Sequence, residues 1–396
     1  MIAKYVVMRI MKCKKCGYPH NPDTEGDRCR MCGWGAFTCV YEEIEETDGT
    51  ANSIKMIRLL SEGDAYYDYD PCNPPFREDA WGAYFLGKRF SKKDSCLLKE
   101  VVICANAPRW YLNSMWELLK SIRFSEIPQD VFIPIIDMID DGEDCYLVED
   151  FFDGVSLYDL MHGQVCGVDG QPFEFAVEMY DRYQNKRTDF VKMVIKEILK
   201  GVNLIRENNI PITYIELPEN IILTKGGKIR IRMIGSLLYD CDVHRLLHFA
   251  ITTDYLHSLL PIEYAPPEYF LARTNEKYID ERSEVYTVGV FTYCILTGHL
   301  PYKGGTSLED CHCVHGPIID PRDDNYVDKP IVSCLPRYYE NLLLDEIEDK
   351  HLKTIVEKAT RLYQDKRYQS AQEFIDAIEN CDKVYVPWYK RLCSNH

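Results

Sequence analysis

Residues 218–235, Pro-Glu-Asn-Ile-Ile-Leu-Thr-Lys-Gly-Gly-Lys-Ile-Arg-Ile-Arg-Met-Ile-Gly, restrict what this chain can fold into more than any other stretch. Alternating character on either side of Gly226-Gly227 predicts a loop, a strand over 221–224, a tight turn, a second strand over 228–233 and a closing glycine. Upstream, Phe190, Val194, Ile198, Val202 and Ile205 recur at helical spacing within residues 188–208, which predicts a buried amphipathic helix. At 396 residues the chain is long enough for two or three domains.

The hairpin string resembles the catalytic and metal loops of protein kinases, in which Asp-Phe-Gly begins thirteen residues after the asparagine of Pro-Glu-Asn; here that count from Asn220 reaches Met233-Ile234-Gly235. Other segments carry the same resemblance. Gly82-Ala83-Tyr84-Phe85-Leu86 and Leu97-Leu98-Lys99-Glu100-Val101 are similar to the second and third small-lobe strands. Cys145 to Gly154 is similar to the fifth strand and hinge. Glu263 to Glu268 resembles the end of the activation segment, Ser283 to Tyr302 the central buried helix and its exit, and Asp365 to Ala371 the late turn whose arginine pairs the glutamate matching Glu268. The resemblance covers residues 76–380 and is to the bacterial Ser/Thr kinase type. It implies an α+β, bilobal protein kinase-like fold, with a β-rich small lobe over 76–152 and a mainly helical large lobe over 153–382. Residues 163–187 read as an insertion, and 383–396 as a C-terminal tail.

The same comparison implies altered chemistry. Phosphoryl transfer needs a carboxylate beside the attacking hydroxyl and metal ions on the phosphates. The base position falls on Ile215, or on Tyr214 in a register shifted by one, and the metal-binding aspartate on Met233, whose thioether does not suit Mg²⁺. Two of the three phosphate-loop glycine positions fall on Arg77 and Asp79, and the helix glutamate position on Met115, with Glu117 on another face. Lys99 matches the phosphate-pairing lysine, Asn220 the metal-loop asparagine and Glu149 the gatekeeper, while Arg232 would face the pocket floor. Lys99, Glu149, Asn220 and Arg232 thus outline a vestigial nucleotide pocket in which Lys99, Glu149 and Arg232 pair with one another. ATP and Mg²⁺ are left without their usual ligands. The expectation is a pseudokinase, not an enzyme, acting as a signalling or scaffold protein through protein partners. One alternative is an atypical Ser/Thr protein kinase or other ATP-dependent transferase that uses Glu216 as its carboxylate.

Ahead of this body, Cys13-Lys-Lys-Cys16-Gly17 and Cys29-Arg-Met-Cys32-Gly33 form two knuckles separated by twelve residues. That spacing predicts a zinc ribbon over 11–36, closed around one structural zinc by Cys13, Cys16, Cys29 and Cys32. His20, between the knuckles, reads as a solvated loop residue. The acidic run Glu42 to Asp48 reads as a solvated stretch within 37–75, itself a linker or small-lobe extension. Residues 1–35 hold seven Lys/Arg and three Asp/Glu, net +4, so the formal charge of −17 leaves −21 on the remainder. That balance excludes a general nucleic-acid or anionic-membrane binder, though nucleic-acid reading by the basic ribbon is a further alternative. Seventeen scattered cysteines, the lack of a signal-like start and the lack of a long apolar run predict a cytoplasmic protein. Cys311-His312-Cys313-Val314-His315 is read as metal-free, and the apolar tail residues 384–389 as packed on the body or docking elsewhere.

Overall fold

A computed structural model describes residues 3–47, 53–79, 81–107, 109, 131–208, 212–214, 218–233, 237–239, 264, 266–268, 280–302 and 342–381. The chain divides into two compact units, Met1–Phe124 with Ile133–Phe152, and Ser125–Phe132 with Asp153–His396.

The first unit is built on a 10-stranded antiparallel sheet. Its strands are β1 (Ala3–Cys13), β2 (Pro19–His20), β3 (Phe37–Thr47), β4 (Ser53–Leu60), β5 (Ala65–Tyr69), β6 (Arg77–Asp79), β7 (Gly82–Ser91) and β8 (Leu97–Ala105). After β9 (Phe132–Ile133) come β10 (Ile135–Asp140) and β11 (Cys145–Asp150). The order is β10-β11-β8-β7-β5-β4-β3-β1-β2, with β6 on β7. The sheet curls until its ends meet: Lys12 Nζ lies 3.8 Å from the Asp140 carboxylate, and Gly142, in the β10–β11 turn, lies so close to Pro19 that a Cβ would approach the proline ring to 2.2 Å. Inside the curl, Tyr41, Leu59, Tyr67, Val101, Ile103, Tyr146 and Val148 form the core.

The acidic run is strand, not solvated linker. Tyr41 and Ile44 are both buried, on opposite faces of the strand, while the carboxylates between them meet cations on the strands at either side, Glu42 with Arg9 at 3.1 Å and Glu43 with Lys55 at 2.9 Å. Cross-strand ion pairs of this kind hold a strand between two neighbours even where several of its residues are charged. Arg77 and Asp79 also lie in a ladder, with Asp79 opposite Gly82.

The second unit holds the helices α1 (Leu157–Met161), α2 (Glu174–Asn185), α3 (Arg187–Glu207), α4 (Glu281–Thr297), α5 (Lys350–Ala359) and α6 (Ala371–Glu379). The predicted stripe is the buried face of α3. The predicted hairpin is β14 (Ile221–Thr224) and β15 (Ile229–Arg232), with Gly227 at φ +74° in the turn. It pairs with β12 (Gly154–Ser156) on one side, and the Ile231 amide donates to the Val131 carbonyl on the other. A separate short ladder joins β13 (Ile212–Tyr214) to β16 (Leu237–Tyr239). Helix α4 is buried from Ser283 to Ile295, begins at Asp280, whose carboxylate caps the Arg282 amide, and ends at Gly298 with φ +87°. The insertion residues 163–187 form α2 and a loop tied by Lys225 to Asp169 at 2.8 Å.

Candidate functional site

Cys13, Cys16, Cys29 and Cys32 come together as a set whose sulfurs all lie within 4.8 Å of one another. Each knuckle is a turn closed by its glycine: the Gly17 amide donates to the Cys13 carbonyl and the Gly33 amide to the Cys29 carbonyl, both at 2.8 Å, with φ of +73° and +69°. A side chain at either glycine would be forced into the left-handed region. Sγ separations of 3.6 Å for Cys13 to Cys32 and 3.5 Å for Cys16 to Cys29 are close to the ~3.8 Å edge of a tetrahedron with metal–sulfur bonds of about 2.3 Å. The donor set therefore fits one tetrahedral metal ion. Burial raises the Cys13 thiol, but the Cys16 and Lys15 backbone amides outweigh it and hold the group down at about 6. Cys16 goes the other way: the Tyr18 amide lowers it, while burial and the other three sulfurs push it up to about 12. Cys16 thus resists carrying a charge beside the other sulfurs until a cation shares it.

His20 is not solvated. It is 1% exposed, stacks on Phe37 at 4.1 Å between ring centres, and places Nε2 2.6 Å from the Gly26 carbonyl and Nδ1 3.1 Å from the Glu25 carboxylate. It acts as a brace under the loop joining the knuckles. The nearest sequence signal was Pro19 before it and Phe37 after the second knuckle, too far apart in the chain to be read as partners.

Of the residues expected to outline a nucleotide pocket, two lie in the first unit. Lys99 leaves β8 38% exposed and forms an ion pair with Asp150, the residue after Glu149. Glu149 is fully buried, opposite Val102 in the β11–β8 ladder. In the second unit, Asn220 ends the turn that enters β14, and Arg232 ends β15; both are buried, as is Met233. Met233 occupies the position that the sequence comparison gave to the metal-binding aspartate. Ile215, Glu216, the Tyr214 side chain, Met115, Glu117, residues 311–315 and the tail lie outside the described residues.

The pair expected between the late turn and Glu268 is present and buried. Glu268 and Arg367 are 5% and 1% exposed. Arg367 Nη1 and Nη2 donate to the two Glu268 oxygens at 2.6 and 2.9 Å. The remaining guanidinium protons reach the carbonyls of Arg361, Arg282 and Leu362 at 2.7 to 3.0 Å, so all five donors are used. Ser283 and Gln364 add hydrogen bonds to Glu268 at 2.7 and 3.1 Å. A buried ion pair is tolerated only when its surplus hydrogen-bonding capacity is met in this way. Sequence reasoning missed one similar tie, the buried Glu284 of α4 accepting from Arg206 Nε of α3 at 3.2 Å.

The protein kinase domain family matches residues 117–378, about two thirds of the chain, and the chain belongs to that family. Relatives include the probable serine/threonine-protein kinase MARK-C of Dictyostelium discoideum, 26% identical over 193 residues (48% of this chain, 21% of that protein). Another is serine/threonine-protein kinase chk-1 of Caenorhabditis elegans, 26% identical over 207 residues (52% and 35%). A third is serine/threonine-protein kinase PknL of Mycobacterium tuberculosis, 33% identical over 91 residues (23% and 20%). The chain spans a fifth to about a third of the length of these relatives. Membership of this family, with relatives named as kinases, overturns the expectation that the chain is not an enzyme. That expectation rested on four altered elements, the phosphate loop, the base, the metal aspartate and the helix glutamate, and the family match over the whole domain outweighs them. No described helix is long and apolar enough to cross a membrane.

Proposed function

We propose that this chain is an ATP-dependent protein kinase of the serine/threonine class with a rearranged catalytic set. The observation that carries the proposal is the family match over 117–378 together with relatives named as serine/threonine kinases. In this reading a substrate hydroxyl oxygen attacks the γ-phosphorus of ATP, the bond to the bridging oxygen of ADP breaks, and the hydroxyl proton passes to Glu216. Lys99 exchanges Asp150 for phosphate oxygens. Asn220, at the entry to β14, follows Glu216 by four residues in the sequence. The four-cysteine module holds a structural zinc ion and takes no part in the transfer, because four thiolates leave a tetrahedral ion no open position.

Incubation of the full chain with γ-labelled ATP and a general Ser/Thr substrate protein, with Mg²⁺ and with Mn²⁺, tests this. Labelled phosphoserine or phosphothreonine is expected, reduced by about 10²-fold or more in Glu216→Gln and in Lys99→Met. A wild-type chain that transfers no label, or one whose activity survives Glu216→Gln, overturns the assignment.

A further inference from the structure

The knuckles that carry the cysteines also carry an unusual surface. Lys14, Lys15 and Arg28 are exposed, as is Arg30, which pairs with Glu25 at 3.1 Å, and on the same knuckles Met31 and Trp34 are 69% and 49% exposed. The two knuckles present these groups together: Lys15 Nζ lies 5.4 Å from the Trp34 ring centre, the Lys14 amide donates to the Ala36 carbonyl at 3.0 Å, and the Cys29 amide donates to the Trp34 carbonyl at 2.9 Å. The backbone beneath is braced by buried His20 and by the cysteine set, so the groups project from a rigid base. Nothing in the fold asks for an exposed tryptophan and methionine here, whereas the centres of protein interfaces are enriched in both. Methionine in particular adapts to varied apolar partners.

We propose that this face is a docking site for an acidic protein segment with one aliphatic or aromatic anchor residue. The anchor would lie against Trp34 and Met31, and the carboxylates against the surrounding cations. Charge complementarity favours this occupant: residues 11–36 carry five Lys/Arg against three Asp/Glu, and with Arg30 held by Glu25 at 3.1 Å it is Lys14, Lys15 and Arg28 that are left to meet an acidic segment. The chain's formal charge of −17 argues against a nucleic-acid strand, whose affinity rests on neutralising more phosphates than the few cations of this face can meet. The inference rests on the geometry of the knuckles and stands apart from phosphoryl transfer.

The test is anisotropy of a fluorescein-labelled dodecapeptide of Asp and Glu with a central Leu-Phe, titrated with the zinc-loaded full chain. Saturable binding is expected, weaker by about tenfold or more in Trp34→Ala, in Lys14→Glu and with a peptide carrying Ser-Ser at its centre, and falling as salt rises. Zinc content is measured for each variant. If a variant loses its metal, the comparison of the two peptides on the wild-type chain decides. Absence of saturable binding, equal affinity for the Ser-Ser peptide, undiminished affinity in a zinc-replete Trp34→Ala, or tighter binding of a single-stranded dodecanucleotide each overturns the proposal.

Discussion

Arg367 shows what a single buried residue can be asked to do. Its five donors close on Glu268 and three backbone carbonyls, and its guanidinium lies over the Tyr286 ring at 4.8 Å. Removing it leaves the Glu268 carboxylate buried with hydrogen bonds from Ser283 and Gln364 but no counter-charge. Arg367→Ala is therefore expected to cost about 3–5 kcal/mol in urea unfolding, since a broken buried pair strands its partner. Glu268→Gln, which keeps an acceptor in place, is expected to cost less. A double-mutant cycle between the two positions should return a coupling well above the additivity error of about 0.5 kcal/mol. Coupling at or below that error would show that the fork adds nothing to stability.

At the scale of the element, α4 is the helix around which the second unit is arranged. Its apolar residues cover most of its circumference, so it has neighbours on nearly every side and tolerates little added volume. Gly289 marks the closest approach: a Cβ there would lie 2.8 Å from the Ala359 Cβ and 2.9 Å from the Thr360 Cγ2, where α5 ends. Neither neighbour is the far end of a flexible chain, so the helices must separate. Gly289→Val is expected to destabilise by roughly 1–3 kcal/mol, seen as a lower midpoint with unchanged m-value. Gly226→Ala is the control, because its nearest neighbour is 3.7 Å away and no comparable loss follows.

At the scale of the molecule, the metal set and the curled sheet are continuous. Strand β1 runs directly into Cys13, pairs with β3 from Ala3 opposite Thr47 to Cys13 opposite Phe37, and β3 pairs in turn with β4. Stripping the metal with a chelator is expected to raise amide exchange through β1 and β3 while α3 and α4 keep their protection. Cys13→Ser should reproduce the effect without chelator. Unchanged exchange in β1 after metal loss would show that the knuckles are an appendage and not a clamp on the sheet.

What could be read before folding is what neighbours in the chain settle among themselves. The β14–β15 hairpin, the stripe of α3 and the cysteine knuckles with their positive-φ glycines rest on turn chemistry or on periodicities of two to four residues, whereas the buried run of α4 was legible only through resemblance to a known family. The pairing of Glu268 with Arg367 was legible as well, though only because the surrounding strings resemble a known family. Three features waited for the folded chain: the burial of His20, the conversion of the acidic run into β3, and the partnership of Lys99 with Asp150. In each case the deciding contact comes from a residue distant in sequence, Phe37 for His20, Arg9 and Lys55 for the carboxylates, Asp150 for the lysine. Local pattern specifies which backbone form a segment adopts, but burial and charge pairing depend on which other element comes to cover it, and only the packed structure supplies that neighbour.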